Sequence, residues 1–253
     1  WDWVVLQDQS QVPSFPNGQP DREGSITAAA ELADKIRAQN AKVMFFLTWG
    51  YVNGDQRNAH INPDYPTMQA NLKTGYERYR DVAGGNDQDV FIAPVGMAFK
   101  GAYEEDSDLH TSLYSGDGSH PALPGSYLAA AVFYGSLTGR RAGARSWRPQ
   151  NLDDALATRL RALADAAVFD PQGYEFPWSE QVREQPLDAG TTLPDDAGTL
   201  GDAGVALTDG GTLGRSPAPV PTGCGCTSTP LFTLMLWLPL LGLFARRRNV
   251  RSR

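Results

Sequence analysis

Apolar residues fall along this chain in two rhythms. Short continuous runs bounded by polar residues occur at Trp3-Val4-Val5-Leu6, at Lys42 to Leu47 and at Asp89 to Val95, and such runs fit parallel strands buried on both faces. Between them the apolar spacing lengthens to three and four. Ser25 suits the N-cap of a helix reaching about Gln39, with Ile26, Ala29, Leu32 and Ile36 on one stripe. A second helix is predicted over 67–82, where Met68, Leu72, Tyr76, Tyr79 and Val82 repeat in the same way. Two more are expected from Ser126 to Leu137 and from an Asn151 cap to about Val168, with Asp153 and Asp154 favouring the positive end of the latter. Strands alternating with helices predict an α/β fold, a three-layer α/β/α sandwich around a parallel sheet. Ligands of such sheets bind at the carboxyl ends of the strands. Gln7, Trp49, Gly96 and the loop around Asp117 fall there.

The pattern stops near residue 185, so one α/β domain over 1–185 is expected. Residues 186–222 turn to Gly, Ala, Asp, Thr and Pro, a composition that reads as a solvated linker without apolar area to bury. Residues 223–253 hold Gly223-Cys224-Gly225-Cys226, an apolar run from Leu231 to Ala245, and an arginine-rich end. That run is short of the ~20 residues that span a bilayer, although flanking residues can extend it, and the arginines would face the cytoplasm. Trp1 begins directly inside a strand-like run, so the chain reads as truncated at its N-terminus. Cys224 and Cys226 are too close for an ordinary disulfide and lack the further ligands of a zinc site. With a net charge of −7 and a pI near 5.0, no nucleic-acid partner is expected; the arginines of 140–148 form a short connector rather than a basic face.

The stretch with the clearest chemistry is Asp117-Gly118-Ser119-His120-Pro121. A carboxylate three residues before a histidine can accept its ring N–H, select the tautomer and stabilise the imidazolium formed when the other nitrogen takes a proton. Gly118 and Pro121 stiffen the loop, and Pro124 suits the first turn of the following helix. Without that context Asp-x-x-His is a turn leading into a helix.

This block resembles the last motif block of the SGNH/GDSL hydrolases. Gly125 to Tyr134 resembles the helix that follows it, and Trp3 to Ser10, Phe46 to Gly50 and Ile92 to Gly96 resemble strand ends of one branch of that superfamily. The match covers roughly the first two-thirds of the chain. It implies a Ser-His-Asp triad with Asp117 and His120 as the carboxylate and base, an oxyanion site, and no cofactor or metal. The family's nucleophile block and second block are not visible. Gln7-Asp8-Gln9-Ser10 stands where the family has Gly-x-Asn-Asp, so a Gln7 or Gln9 amide would substitute as oxyanion donor; a strand-end glutamine serves equally to satisfy loop backbone. Ser10 lacks the glycines of a sharp nucleophile turn and reads as a loop hydroxyl. Trp49, with Gly50 leaving room beside it, reads as a substrate platform or a core aromatic. His60 and His110 are expected in polar, solvated loops, and Glu104, Glu105, Asp106 and Asp108 in an acidic loop that forms a solvated face.

The C-terminal segment resembles myxobacterial sorting tails, in which a Gly-Cys motif precedes a short membrane segment and an arginine cluster. That resemblance implies export to the cell envelope, a membrane partner for residues 231–245, and a sorting protease acting near Cys224 and Cys226. The expected function is a surface-anchored serine esterase acting on a small-molecule or glycan ester, such as an acylated carbohydrate, with the nucleophile outside this stretch. The alternative is a binding module that keeps the fold without the chemistry.

Overall fold

The computed structural model describes residues 1–85, 89–169 and 174–179. The linker, the apolar run at 231–245, Cys224 and Cys226 lie outside the described residues. Among the described residues no helix is long and apolar enough to cross a membrane.

Three strands, β1 (Trp3–Leu6), β2 (Lys42–Phe46) and β3 (Val90–Ala93), form a parallel sheet in that order, with Val4 opposite Val43 and Val43 opposite Val90. Alternation along β2 and β3 divides the core. Val43, Phe45, Val90 and Ile92 face α1 (Pro20–Arg37) and α2 (Tyr65–Val82), packing on Ala33, Met68, Leu72 and Tyr76. Met44, Phe91 and Ala93 face the other way, toward α3 (Val95–Glu105), α5 (Leu123–Thr138) and α6 (Asp154–Phe169), with Phe99, Leu128, Val132 and Leu160. Helices therefore cover both faces, as the alternation of elements predicts. Truncating a side chain as enclosed as Leu72 or Leu128, each 0% exposed, is expected to cost ~2–5 kcal/mol.

Several boundaries differ from the sequence reading, each for a local reason. α1 starts at Pro20, not Ser25, because the Gln19 side chain accepts the Asp21 N–H (2.8 Å) and Pro20 sits where no N–H is needed. The segment between β1 and α1, residues 7–19, contains a 3₁₀ turn at Val12–Ser14. α2 begins at Tyr65 under an Asp64 cap on Thr67 (2.8 Å), and Asp153 rather than Asn151 caps α6, accepting from Leu156 N–H (3.0 Å). β1 is the edge of the described sheet, with Val5 44% exposed, so its apolar run is not buried on both faces.

The larger correction lies between β3 and α5. The strand ends at Ala93, and Pro94 leads directly into α3; the short α4 (Ser107–Ser112) follows under an Asp106 cap. Glu104 and Glu105 are thus helical, and the acidic stretch is tied down by Arg159, which meets Glu105 at 2.6 Å and Asp106 at 3.1 Å. Gly96 lets α3 start against β2: a Cβ there would lie 2.1 Å from the Thr48 carbonyl oxygen, and its N–H bonds Leu47 O at 2.8 Å.

Candidate active site

The loop from Ser115 to Pro121 is partly exposed, and the backbone N–H groups of Ser115, Gly118, Ser119 and His120 are all hydrogen-bonded. An isolated bridge joins Tyr114 and Pro121, Ser115 N–H donates to His120 O (2.8 Å), and Gly118 N–H to Ser115 O (3.0 Å). The turn closes because Gly118 takes φ +68°, a left-handed value that side chains disfavour. The loop after β2 supplies two further ties: Val52 N–H donates to Gly118 O (2.9 Å), and the Trp49 indole N–H to Ser119 O (3.0 Å).

Within this frame Asp117 gathers donors. Its Oδ1 accepts the backbone N–H groups of His120 and Ser119, both at 2.9 Å, and the hydroxyls of Ser115 (3.0 Å) and Ser119 (3.1 Å); Oδ2 lies 2.6 Å from His120 Nδ1. The His120 and Ser119 amides, followed by the His120 ring, hold the Asp117 carboxyl well below the usual carboxylate range. An ionised Asp117 that accepts from Nδ1 fixes the Nδ1–H tautomer, which leaves Nε2 with a lone pair. The His120 side chain is 79% exposed.

His120 opens on a cleft of about 420 Å³ bounded by Gln9, Tyr51, Asn53, Arg57 and Asp117. Asn53, Gln56 and Arg57 come from the loop after β2. Sequence reasoning missed the network that shapes it: buried Asn62 bonds Ser14 Oγ (2.7 Å) and receives Asn71 (3.1 Å), and Asp55 caps the short turn at Gln56–Asn58. The only hint in the sequence was an Asn- and Asp-rich stretch without periodicity.

The other predicted residues separate. Gln9 reaches the cleft, with its amide 3.3 Å from Gln11 Oε1. Gln7 does not; it borders a small cavity with Leu6, Asp8 and Ser25 on the α1 side. Ser10 is not among the residues bounding the cleft. Asp8, unremarked in sequence, organises the end of β1 by accepting the Tyr79 hydroxyl (2.6 Å), the Ser25 hydroxyl and the Gln9 N–H (2.6 Å). Trp49 stacks on Phe99 at 4.5 Å and braces the Asp117 loop from beneath, so it is a support rather than a platform in the cleft. Gly50 is buried, its N–H on Gln69 Oε1 (2.9 Å) and its carbonyl accepting from Tyr114 (2.7 Å).

His110 departs furthest from expectation. It is 3% exposed inside α4, ringed by Tyr65, Tyr103 and Tyr114, and burial pushes its pKa down to about 4. His60 is exposed. Neither has a hydrogen bond or ring contact to His120, and no described serine or cysteine hydrogen-bonds its Nε2; Ser119 Oγ stands 3.4 Å from Nδ1, the nitrogen committed to Asp117. Among the described residues no cluster of three or more His, Cys, Asp or Glu side chains could hold a metal.

No family model and no curated protein sequence matches the chain. Among solved structures it is similar to a DUF4886 family protein from Bacteroides uniformis ATCC 8492, at 21% identity and a TM-score of 0.56, over 69% of this chain and 65% of that one. It is also similar to a candidate SGNH hydrolase from Slackia heliotrinireducens, at 25% identity and a TM-score of 0.43, over 54% of this chain and 66% of that one. The chain thus spans just under two-thirds of the length of each. The first likeness shows a shared fold.

Proposed function

We propose that this chain carries the base and orienting carboxylate of an SGNH-type serine esterase. The observation behind the reading is the 2.6 Å contact of His120 Nδ1 with an ionised Asp117, with Nε2 left toward an open, polar cleft at the strand ends. In the reaction Nε2 takes the proton of a serine hydroxyl as that oxygen attacks an ester carbonyl. The imidazolium, held by Asp117, returns the proton to the departing alcohol, and a water repeats the sequence on the acyl-enzyme. The serine would come from outside the described residues, and Gln9, whose side chain borders the cleft, is the described candidate for an oxyanion donor. Asn53, Gln56 and Arg57 give the cleft a hydroxyl-binding character suited to an acylated carbohydrate. Export and anchoring belong to the same proposal and rest on the C-terminal sequence alone.

The test is hydrolysis of p-nitrophenyl acetate and of acetylated xylan by the full-length protein that contains this chain. Turnover, together with labelling of one serine by a fluorophosphonate, is expected. A folded protein that neither turns over nor labels, but retains glycan, would establish the binding module instead; the absence, among the described residues, of a hydroxyl bonded to Nε2 is what favours that second reading.

A further inference from the structure

α5 carries Tyr127, Ala130, Ala131 and Tyr134 at spacings of three and four, so two aromatic rings flank two methyl groups on one face. The arginine-rich connector turns back across that face. Asp165 of α6 accepts the backbone N–H groups of Ala142 (2.7 Å) and Gly143 (3.0 Å), and the Tyr127 hydroxyl donates to Trp147 O (2.8 Å). The space left is a slot of about 310 Å³ between Tyr127, Tyr134, Ala142 and Trp147, lined almost wholly by carbon.

Two cations border this slot. Arg145 is exposed; its Nε donates to the Tyr134 hydroxyl (2.7 Å), with the guanidinium carbon 5.4 Å from that ring's centroid. Arg161 is 6% exposed and donates only to neutral oxygens, Tyr127 Oη (3.0 Å) and Thr158 Oγ1 (2.8 Å), while its Nε is buried without a partner. The neighbouring arginines 148 and 159 meet Asp154, Glu105 and Asp106. Asp165, one turn beyond Arg161, is occupied by the two amides, and no described carboxylate pairs with Arg161. A guanidinium held away from water without a counter-charge is unfavourable, and an anion in the slot would supply one.

We propose that this slot binds a small amphiphilic carboxylate, its acyl or aryl body between Tyr127 and Trp147 and its carboxylate toward Arg145 and Arg161. The aromatic walls favour an apolar body, and the forked guanidinium donors favour a planar anion over a neutral amide of equal shape. The slot shares no bounding residue with the His120 cleft and stands independently of the hydrolase reading.

Titration of the full chain, followed by calorimetry and by amide NMR, uses phenylacetate as the probe and phenylacetamide as its neutral counterpart. Saturable phenylacetate binding is expected, roughly tenfold or more tighter than the amide, with shifts at Ala130, Ala142 and the Trp147 indole N–H. Ala130→Trp, at an exposed helix position, fills the slot without touching the core and is expected to abolish binding; Arg145→Gln should weaken it about fivefold. Equal affinity for the two probes, binding that survives Ala130→Trp, or no saturable binding of phenylacetate would each overturn the proposal.

Discussion

His110 and His120 flank the bridge between Tyr114 and Pro121, and the chain has given them opposite surroundings. The Tyr114 hydroxyl donates its hydrogen to Gly50 O, so it accepts from His110 Nε2–H at 3.1 Å, and Nδ1 of His110 carries the lone pair in an aromatic cage. His120 has the reverse tautomer: Nδ1–H is held by Asp117 and Nε2 looks outward. One imidazole is enclosed where a positive charge would be stranded, and the other sits where an ionised carboxylate welcomes it. A histidine's type therefore says little about its role; the partner of each nitrogen decides whether the ring is a filler or a base.

The largest expected effect separates them by activity. On the proposed hydrolase reading, His120→Ala should lower kcat by ~10²–10⁴-fold with little change in KM, since proton transfer is lost while binding remains. Asp117→Asn should act on a similar scale, because an amide can hold the ring in the wrong tautomer. Chemical denaturation should place the His120→Ala protein within ~0.5 kcal/mol of wild type, as expected for an exposed side chain. Full activity in folded His120→Ala would reduce the loop to a rigid turn.

The next effect separates them by pH. His110 has a native pKa near 4 against ~6.5 when unfolded, so between those values the unfolded chain binds more protons than the native one. Stability is thus complete above ~6.5 and falls as pH drops toward 4, by up to about 3 kcal/mol. Asp117, whose carboxyl is depressed, acts in a lower window: its contribution is present above ~4 and lost as the medium becomes more acid. Urea midpoints of wild type and His110→Phe between pH 7 and 4 check this. His110→Phe should flatten the upper part of the curve and leave kcat near wild type; an unchanged slope would mean that another group carries it.

How much of this the sequence disclosed follows from the range of the interactions. The Asp117–His120 pair is local, three residues apart on a turn with its own glycine and proline, and so it could be read directly. The strands and α1, α2, α5 and α6 were legible because periodicity records burial. His110 was not: Tyr65 of its cage comes from α2, and the Tyr114 hydroxyl that meets its Nε2 is itself fixed by the Gly50 carbonyl, both far away in sequence. α3 was missed because its apolar start continues a strand run and only Pro94 divides them, and the fate of Gln7 and Gln9 depended on which side of the β1 end each would face.

The smallest effect probes the brace that both regions share. Trp49 donates to Ser119 O beneath His120 and stacks on Phe99, which in turn meets Tyr114, the partner of His110, edge-on at 5.6 Å. Trp49→Phe keeps an aromatic ring against Phe99 and removes the N–H, leaving the Ser119 carbonyl, at the exposed rim, to water. A net hydrogen bond of this kind contributes ~1 kcal/mol, so a loss of that order in stability is expected, measured by denaturation. The catalytic consequence should be a fewfold fall in kcat, because the Asp117 donors come from within the loop and persist, while the loop loses one of its two ties to the segment after β2. Imidazole ¹⁵N shifts give the sharper reading. His120 should keep its Nδ1–H tautomer in Trp49→Phe and His110 its Nε2–H; a change at His110 alone would show that the two histidines are coupled through Phe99 and Tyr114 more tightly than the bracing of the loop requires.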